Sequence, residues 1–309
     1  MADLSVTFCG VEFKNPLVLA SGILGITASS FHNVVRHGAG GVTTKSLWLT
    51  EHKGHPNPVM IANEHYMLNA VGVPDAGIEK AKVEMAEYNK RKKAPIIANI
   101  IAGRKADYGE IAEEIAKLNP DIIEVNISCP NVENRGLVFA CDPDASRRVI
   151  DGVRKTIGGE LPIIAKLSPD VTNLAEIAKG VVDAGADALA LINTVLGMVI
   201  NLDTMKPHLG GKTGGLSGPA IRPIAVRAIY QVHAALPHVP ILGMGGVATG
   251  RDALELILAG ASGISVGTAS FGNPTALITI QNELRDLLAA RGFVTVQQAI
   301  GYAHREEPQ

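Results

Sequence analysis

Aromatic side chains are scarce in this 309-residue chain, which has 6 Phe, 5 Tyr and 1 Trp. So few rings offer no stacking platform for unpaired bases. A net charge of −2 leaves no basic footprint for nucleic acid and no polybasic patch for a membrane surface. No apolar run approaches the length needed to span a bilayer. The cysteines Cys9, Cys129 and Cys141 are odd in number and widely spaced, so they make no disulfide framework, zinc ribbon or iron–sulfur ligand set. The opening segment Met1-Ala2-Asp3-Leu4-Ser5 lacks the basic and long apolar regions of a secretory signal. Together these absences predict a water-soluble protein of a reducing, cytoplasmic compartment, with neither nucleic acid nor membrane as a partner.

Apolar residues and glycine are plentiful. Apolar side chains make up 47% of the chain, enough to fill a large core, and there are 33 glycines. The length allows one large α/β domain or two ordinary ones. Residues 4–8 and 11–13 alternate apolar and polar around Cys9-Gly10 and predict a β-hairpin. A unit then repeats, in which a short apolar strand ends in small or polar residues. The strands are expected at 16–20, 41–45, 95–99, 121–126, 162–166, 188–194, 240–244 and 263–267. Amphipathic helices are expected at about 76–92, 106–118, 143–157, 172–184, 219–235, 249–259 and 274–291. Asp170 or Thr172, Thr249, and Asn273-Pro274 supply N-terminal signals for three of them.

Near-continuous apolar strands separated by helices imply a parallel sheet covered by helices. Eight such units in this length favour a closed (β/α)8 TIM barrel in the α/β class over an open doubly wound sheet. The barrel carries an N-terminal β-hairpin and long insertions after strands 2 and 6, from Ser46 to about Asp75 and from Val195 to Gly218. Long insertions at strand ends usually build or cover a site. The tail from Thr295 reads as a short final helix and a polar end. Residues 1–309 are expected to form a single domain.

Active sites of such barrels lie at the C-terminal ends of the strands. Those ends present Ser21, Lys45 with Ser46, Asn99, Asn126, Lys166, and Asn193 with Thr194. Strand 7 ends in Gly245-Gly246 and strand 8 in Gly267-Thr268. Two lysines and three asparagines closing apolar strands suggest a site for an anionic or electron-rich ligand. The bland alternative, lysines that snorkel to solvent, carries less weight because both follow inward-prone runs. The glycines of strands 7 and 8 suit a phosphate held by backbone N–H groups and a helix N-terminus. Gly243-Met244-Gly245-Gly246-Val247-Ala248 also matches a dinucleotide pattern, but the acidic residue that pattern needs on the next strand end is missing around Gly263-Ile264-Ser265.

Beyond strand 4 runs Asn126-Ile127-Ser128-Cys129-Pro130-Asn131. Pro130 presents the Cys129 thiol on a turn between two amide side chains. Such a thiol suits proton transfer or nucleophilic attack; read alone, the stretch is equally a strand cap. Asn69-Ala70-Val71-Gly72-Val73 in the first insertion could approach a flat polar ligand, or be only a turn. The glycine-rich run 210–218 leaves a mobile lid and a backbone phosphate contact both open. His52, His55, His65 and His208 lack metal-ligand spacing and carboxylate partners, so solvated or ligand-facing histidines are expected and no metal.

Taken together, Thr44-Lys45-Ser46, Asn69-Ala70-Val71-Gly72, Asn126 to Asn131, Ile192-Asn193-Thr194, Gly214-Gly215-Leu216-Ser217-Gly218 and Gly245-Gly246-Val247 resemble the class 1 dihydroorotate dehydrogenases along nearly the whole chain. Cysteine in the fourth-strand loop looks like class 1, whereas the membrane-bound class 2 uses serine. The Asn-Ala-Val-Gly form looks like the class 1B catalytic subunit, although His55-Pro56-Asn57-Pro58-Val59 departs from the Asn-Pro-x-Pro-Arg often found there.

The resemblance implies FMN-dependent oxidation of (S)-dihydroorotate to orotate in pyrimidine biosynthesis. FMN would be held by Ser21, Lys45, Ser46, Asn99, Asn126, Lys166, Ile192, Gly218, Gly245, Gly246, Gly267 and Thr268. Substrate would meet Lys45, the segment Asn69, Ala70, Val71, Gly72 and Val73, and Asn126, Asn193 and Thr194. Cys129 would be the base, with Lys45 beside it in the reaction, and Lys166 would stabilise negative charge on the flavin's pyrimidine end. A free thiol titrates near ~8.5, so a modest shift makes it effective. The chain would work as a homodimer with a second subunit carrying FAD and an iron–sulfur cluster, which relays electrons to NAD. Class 1A-like oxidation by fumarate and a dihydropyrimidine dehydrogenase-like flavoenzyme are the alternatives.

Overall fold

The computed structural model describes residues 1–25, 27–128 and 142–306. Eight parallel strands close into a barrel: β1 (Leu17–Leu19), β2 (Gly41–Thr43), β3 (Ile96–Ile100), β4 (Ile122–Asn126), β5 (Ile163–Lys166), β6 (Ala188–Leu191), β7 (Ile241–Met244) and β8 (Gly263–Val266). Each pairs with its neighbours in sequence, and β8 returns to β1. Every residue of these strands is buried, which is why they read as unbroken apolar runs rather than alternating ones.

The helices are α1 (Ala28–Arg36), α2 (Ile78–Asn89), α3 (Asp107–Ala116), α4 (Pro143–Ile157), α5 (Leu174–Asp183), α6 (Arg222–Ala235), α7 (Gly250–Ala259) and α8 (Ala276–Ala290). The sequence reading missed α1, a nine-residue helix whose N-cap Thr27 accepts from the Ser30 amide and which buries Ala28, Phe31 and Val34. Its run of small polar residues hides the amphipathic period. The cap of α5 is Asn173, not Asp170 or Thr172. The last long helix begins after Thr275, beyond a separate four-residue turn of helix at Ala269–Gly272. Thr249 caps α7 as expected, in a capping box with Asp252.

The hairpin Val6–Phe8 with Val11–Phe13 plugs the barrel's N-terminal end. Val6, Phe8 and Phe13 line a small cavity with Val18, Ile97, Leu242 and Gly263, so these strand positions point inward. At the opposite end the two insertions meet. Val195–Gly197, Gly214–Ser217, Met67–Asn69 and Met60–Ala62 form one antiparallel sheet in that order, two strands from each insertion. Leu68, Ala70 and Leu209 give it a small core of its own.

Candidate functional site

Strand parity builds the base of the site. Asn99 lies two residues beyond inward-pointing Ile97, and Glu124 and Asn126 share one face of β4. Glu124, only 1% exposed, accepts a short hydrogen bond from the Asn99 amide through Oε1, and the same oxygen lies 3.5 Å from Lys166 Nζ. An isolated charge so deeply placed would cost several kcal/mol, so pairing is what makes Lys166 and Glu124 tolerable there. Asn99 Oδ1 is buried and has no hydrogen-bond partner among the described residues.

Above this base runs a chain of contacts between strand ends. Asn126 Nδ2 donates to Ser46 Oγ at 3.4 Å, and Ser128 Oγ donates to Asn126 Oδ1 at 2.5 Å. Asn193 Nδ2 donates to Ser128 Oγ, and the Thr194 amide donates to Asn193 Oδ1 at 2.8 Å. Thr194 packs against Gly215, where a Cβ would stand 2.2 Å from Thr194 Oγ1, so only glycine fits. Asn69 Nδ2 in turn donates to the Gly215 carbonyl at 3.4 Å. The glycines of 214–217 therefore serve close packing within a strand.

The segment Asn69 to Val73 is held from behind. The His55 amide donates to Val71 O at 3.1 Å, and His55 Nδ1 lies 3.1 Å from Ala70 O. Trp48 Nε1 donates to Val73 O at 3.1 Å, with His52 Nδ1 3.2 Å from the same oxygen and the two rings stacked 4.2 Å apart. His52 and His55 thus each hold a backbone carbonyl, and His55 remains exposed to solvent, as expected. His65 is exposed and pairs with Glu64 at 3.2 Å.

Lys45 is half-buried, and no carboxylate of the described residues lies within ion-pair distance of it. Burial pushes its ammonium below the usual lysine range, and the Asp75 carboxylate partly offsets this. An underpaired cation on this rim suits an anionic ligand.

After β7, Gly245 and Gly246 have φ of 124° and 75°, and a Cβ on Gly246 would stand 2.8 Å from the Arg222 amide nitrogen. The N-terminus of α7 is already occupied. Asp252 accepts from the Ala248 and Thr249 amides at 3.0 and 2.8 Å and pairs with Arg222. A backbone contact to an anion here would fall to Gly245, Gly246 and the turn after β8. In that turn Gly267 sits beside Ala20, and Thr268 Oγ1 donates to Ser217 Oγ at 2.9 Å, next to Gly218. Ile192 is buried and its amide donates to Met244 O at 3.0 Å. Ser21 lies on the turn after β1. Cys129, the expected base, lies outside the described residues with Pro130 and Asn131.

Two polar residues of this cluster escaped the sequence reading. Glu124 is one polar position inside an otherwise apolar strand, and only its parity with Asn126 marks it as inward-facing. Ser128 was noted only as part of a turn, yet it bridges the ends of β4 and β6.

The family model for dihydroorotate dehydrogenase matches residues 3–288. The chain is similar to the catalytic subunit of dihydroorotate dehydrogenase B (NAD(+)) from Geotalea uraniireducens, with 42% identity over 301 residues covering 97% of each chain. The corresponding protein of Bacillus pumilus is 40% identical over 305 residues, covering 98% of this chain and 97% of that one. Among solved structures, the crystal structure of DHODH in complex with ferulenol from Eimeria tenella matches with a TM-score of 0.85 and 23% identity, covering 98% of this chain and 89% of that one, a likeness of fold. The chain belongs to the dihydroorotate dehydrogenase family.

Proposed function

We propose that this chain oxidises (S)-dihydroorotate to orotate in pyrimidine biosynthesis, as the catalytic subunit of an NAD-linked enzyme whose barrel, residues 1–309, holds FMN. The observation that carries the reading is the contact chain from Ser46 and Asn126 through Ser128, Asn193 and Thr194 to Gly215 and Asn69. It joins residues from five separate stretches of sequence into one polar cluster at the strand ends, where barrel enzymes work.

The residues present fit a flavin. Asn99 Oδ1 is a buried acceptor with no partner among the described residues, and Lys166 is a buried cation. When bound, FMN supplies the hydride acceptor. With FMN bound, Lys166 would place positive charge beside the cofactor, and Gly245, Gly246, Gly267 and Thr268 would hold its phosphate. The amides of Asn126, Asn193 and Asn69 pair with the planar polar edges of the substrate, and Lys45 attracts its carboxylate. Cys129, the expected base, would hold the proton taken from the substrate carbon.

The NAD-linked reading draws support from the names of the curated relatives. It requires a partner subunit with FAD and an iron–sulfur cluster. A second copy of the chain has a surface to meet in the exposed Leu196, Leu202 and Met205 of the second insertion. The setting is cytoplasmic.

Purified protein is expected to be yellow and to bleach anaerobically on adding dihydroorotate. NAD alone should leave the bleached protein unchanged until the partner is supplied. A colourless protein, or one bleached only by uracil derivatives, contradicts the reading. Rapid recovery of colour with fumarate alone contradicts its NAD-linked part.

A further inference from the structure

We infer that Glu124 is a positioning residue for the redox centre, acting through Lys166 and Asn99. The inference rests on the FMN reading above and goes beyond it, since neither charge balance nor amide orientation follows from the presence of a flavin.

Glu124 sits in the barrel interior, on the face of β4 that also carries Asn126, and is 1% exposed. A packing role alone would be met by an apolar side chain, because burying a carboxylate costs far more than burying a methyl group. An ionised carboxylate has only acceptor atoms. The Asn99 side chain must therefore turn its NH2 toward Glu124, as it does. That leaves Asn99 Oδ1 as the outward atom, buried and unpartnered, able to accept from a ligand N–H and unable to donate to a ligand carbonyl. On the adjacent strand β5, Lys166 Nζ lies 3.5 Å from the same Oε1, and both side chains are almost wholly buried. Low polarity strengthens that interaction. One carboxylate thus fixes which face Asn99 presents and partly neutralises the cation that Lys166 presents.

The consequence is a sign. A positive charge beside a flavin favours the state carrying more electrons, and Glu124 attenuates that charge. Removing it while keeping the side chain's shape should make the bound flavin easier to reduce.

The test is the midpoint potential of protein-bound FMN, by anaerobic titration against a reference dye. Glu124→Gln should retain FMN and shift the equilibrium at least tenfold toward the reduced side, which is ~30 mV upward for a two-electron couple. In a Lys166→Met background the same substitution should shift it less than twofold. Glu124→Asp keeps the charge on a shorter arm and should move the potential the same way by less. A Glu124→Gln potential within twofold of the parent overturns the inference, and so does an equal shift with and without Lys166. Should Glu124→Gln fail to fold or to hold FMN, Glu124→Asp decides, and a potential at or below the parent's overturns the inference. A colourless parent protein counts against the FMN reading. A yellow parent with an unmoved Glu124→Gln potential counts against Glu124 alone.

Discussion

At its N-terminal end the barrel is filled by the rings of Phe8 and Phe13, which meet edge to face at 6.4 Å, with Val18, Ile97 and Leu242 around them. Toward the other end, the inward positions of β3, β4 and β5 are Asn99, Glu124, Asn126 and Lys166, each buried and each polar. Strand geometry is common to both ends, so the contrast lies in side-chain chemistry alone. The apolar end gains stability from area removed from water. The polar end gives up part of that gain to hold charges and amides in place, the pattern expected where strand ends serve a ligand. The plug is a stability element and the rim a chemical one, and substitutions at the two ends should separate cleanly.

The largest effect is expected at the plug. Phe13→Ala should cost ~3–5 kcal/mol of unfolding free energy, with kcat/KM of the folded fraction close to the parent's. Denaturant titration and initial rates on the same sample check both halves. At the rim, Asn126→Ala should lower kcat/KM on the order of 100-fold through lost substrate alignment. Its stability should fall by only ~1–3 kcal/mol, from the loss of the Ser46 and Ser128 hydrogen bonds. If Asn126→Ala merely melted earlier at full activity, rim and plug would not differ in kind.

Gly215→Ala tests the join between insertion and strand. Its methyl would collide with Thr194 Oγ1 at 2.2 Å. The expected cost is ~1–3 kcal/mol, with a raised KM because Thr194 is displaced; unchanged KM would detach the second insertion from the substrate pocket.

The smallest effect concerns Lys45. Burial depresses its pKa in the fold below the ordinary 10.5, so between the folded pKa and 10.5 the unfolded chain binds more protons and stability rises with pH. Below that window the desolvation penalty is present in full. Lys45→Met should therefore be slightly more stable than the parent at neutral pH. That advantage should fade as pH nears 10.5, and dihydroorotate should bind the variant more weakly. A variant less stable at neutral pH, or one with parental affinity, would contradict the role of Lys45 as an underpaired rim cation.

The barrel was legible in the sequence because parallel strands buried on both faces leave unbroken apolar runs, and the rim because polar residues interrupt those runs where strands end. Helix α1 was not legible, since Ala28 to Arg36 opens with small polar residues and its burial rests on Phe31 and Val34. Glu124 was hidden by its place inside a strand, where only parity with Asn126 reveals it. The fusion of the two insertions could not be read either. Asn69 and Gly215 carry no sign that they pair across 146 residues of sequence, because strand pairing over such a distance depends on the barrel having first brought the loops together. The histidines were expected to be solvated or to face a ligand; the carbonyl contacts of His52 and His55 were not legible because they depend on how the first insertion folds back on itself.

The central claim is that β4, β6 and both insertions form one ligand site at the polar end of the barrel. Amide hydrogen exchange of the FMN-loaded protein, with and without saturating orotate, tests it most directly. Added protection is expected at residues 69–73, 193–197 and 214–218, with the plug hairpin at 6–13 unchanged. Protection at the plug, or none in the insertions, would contradict the account.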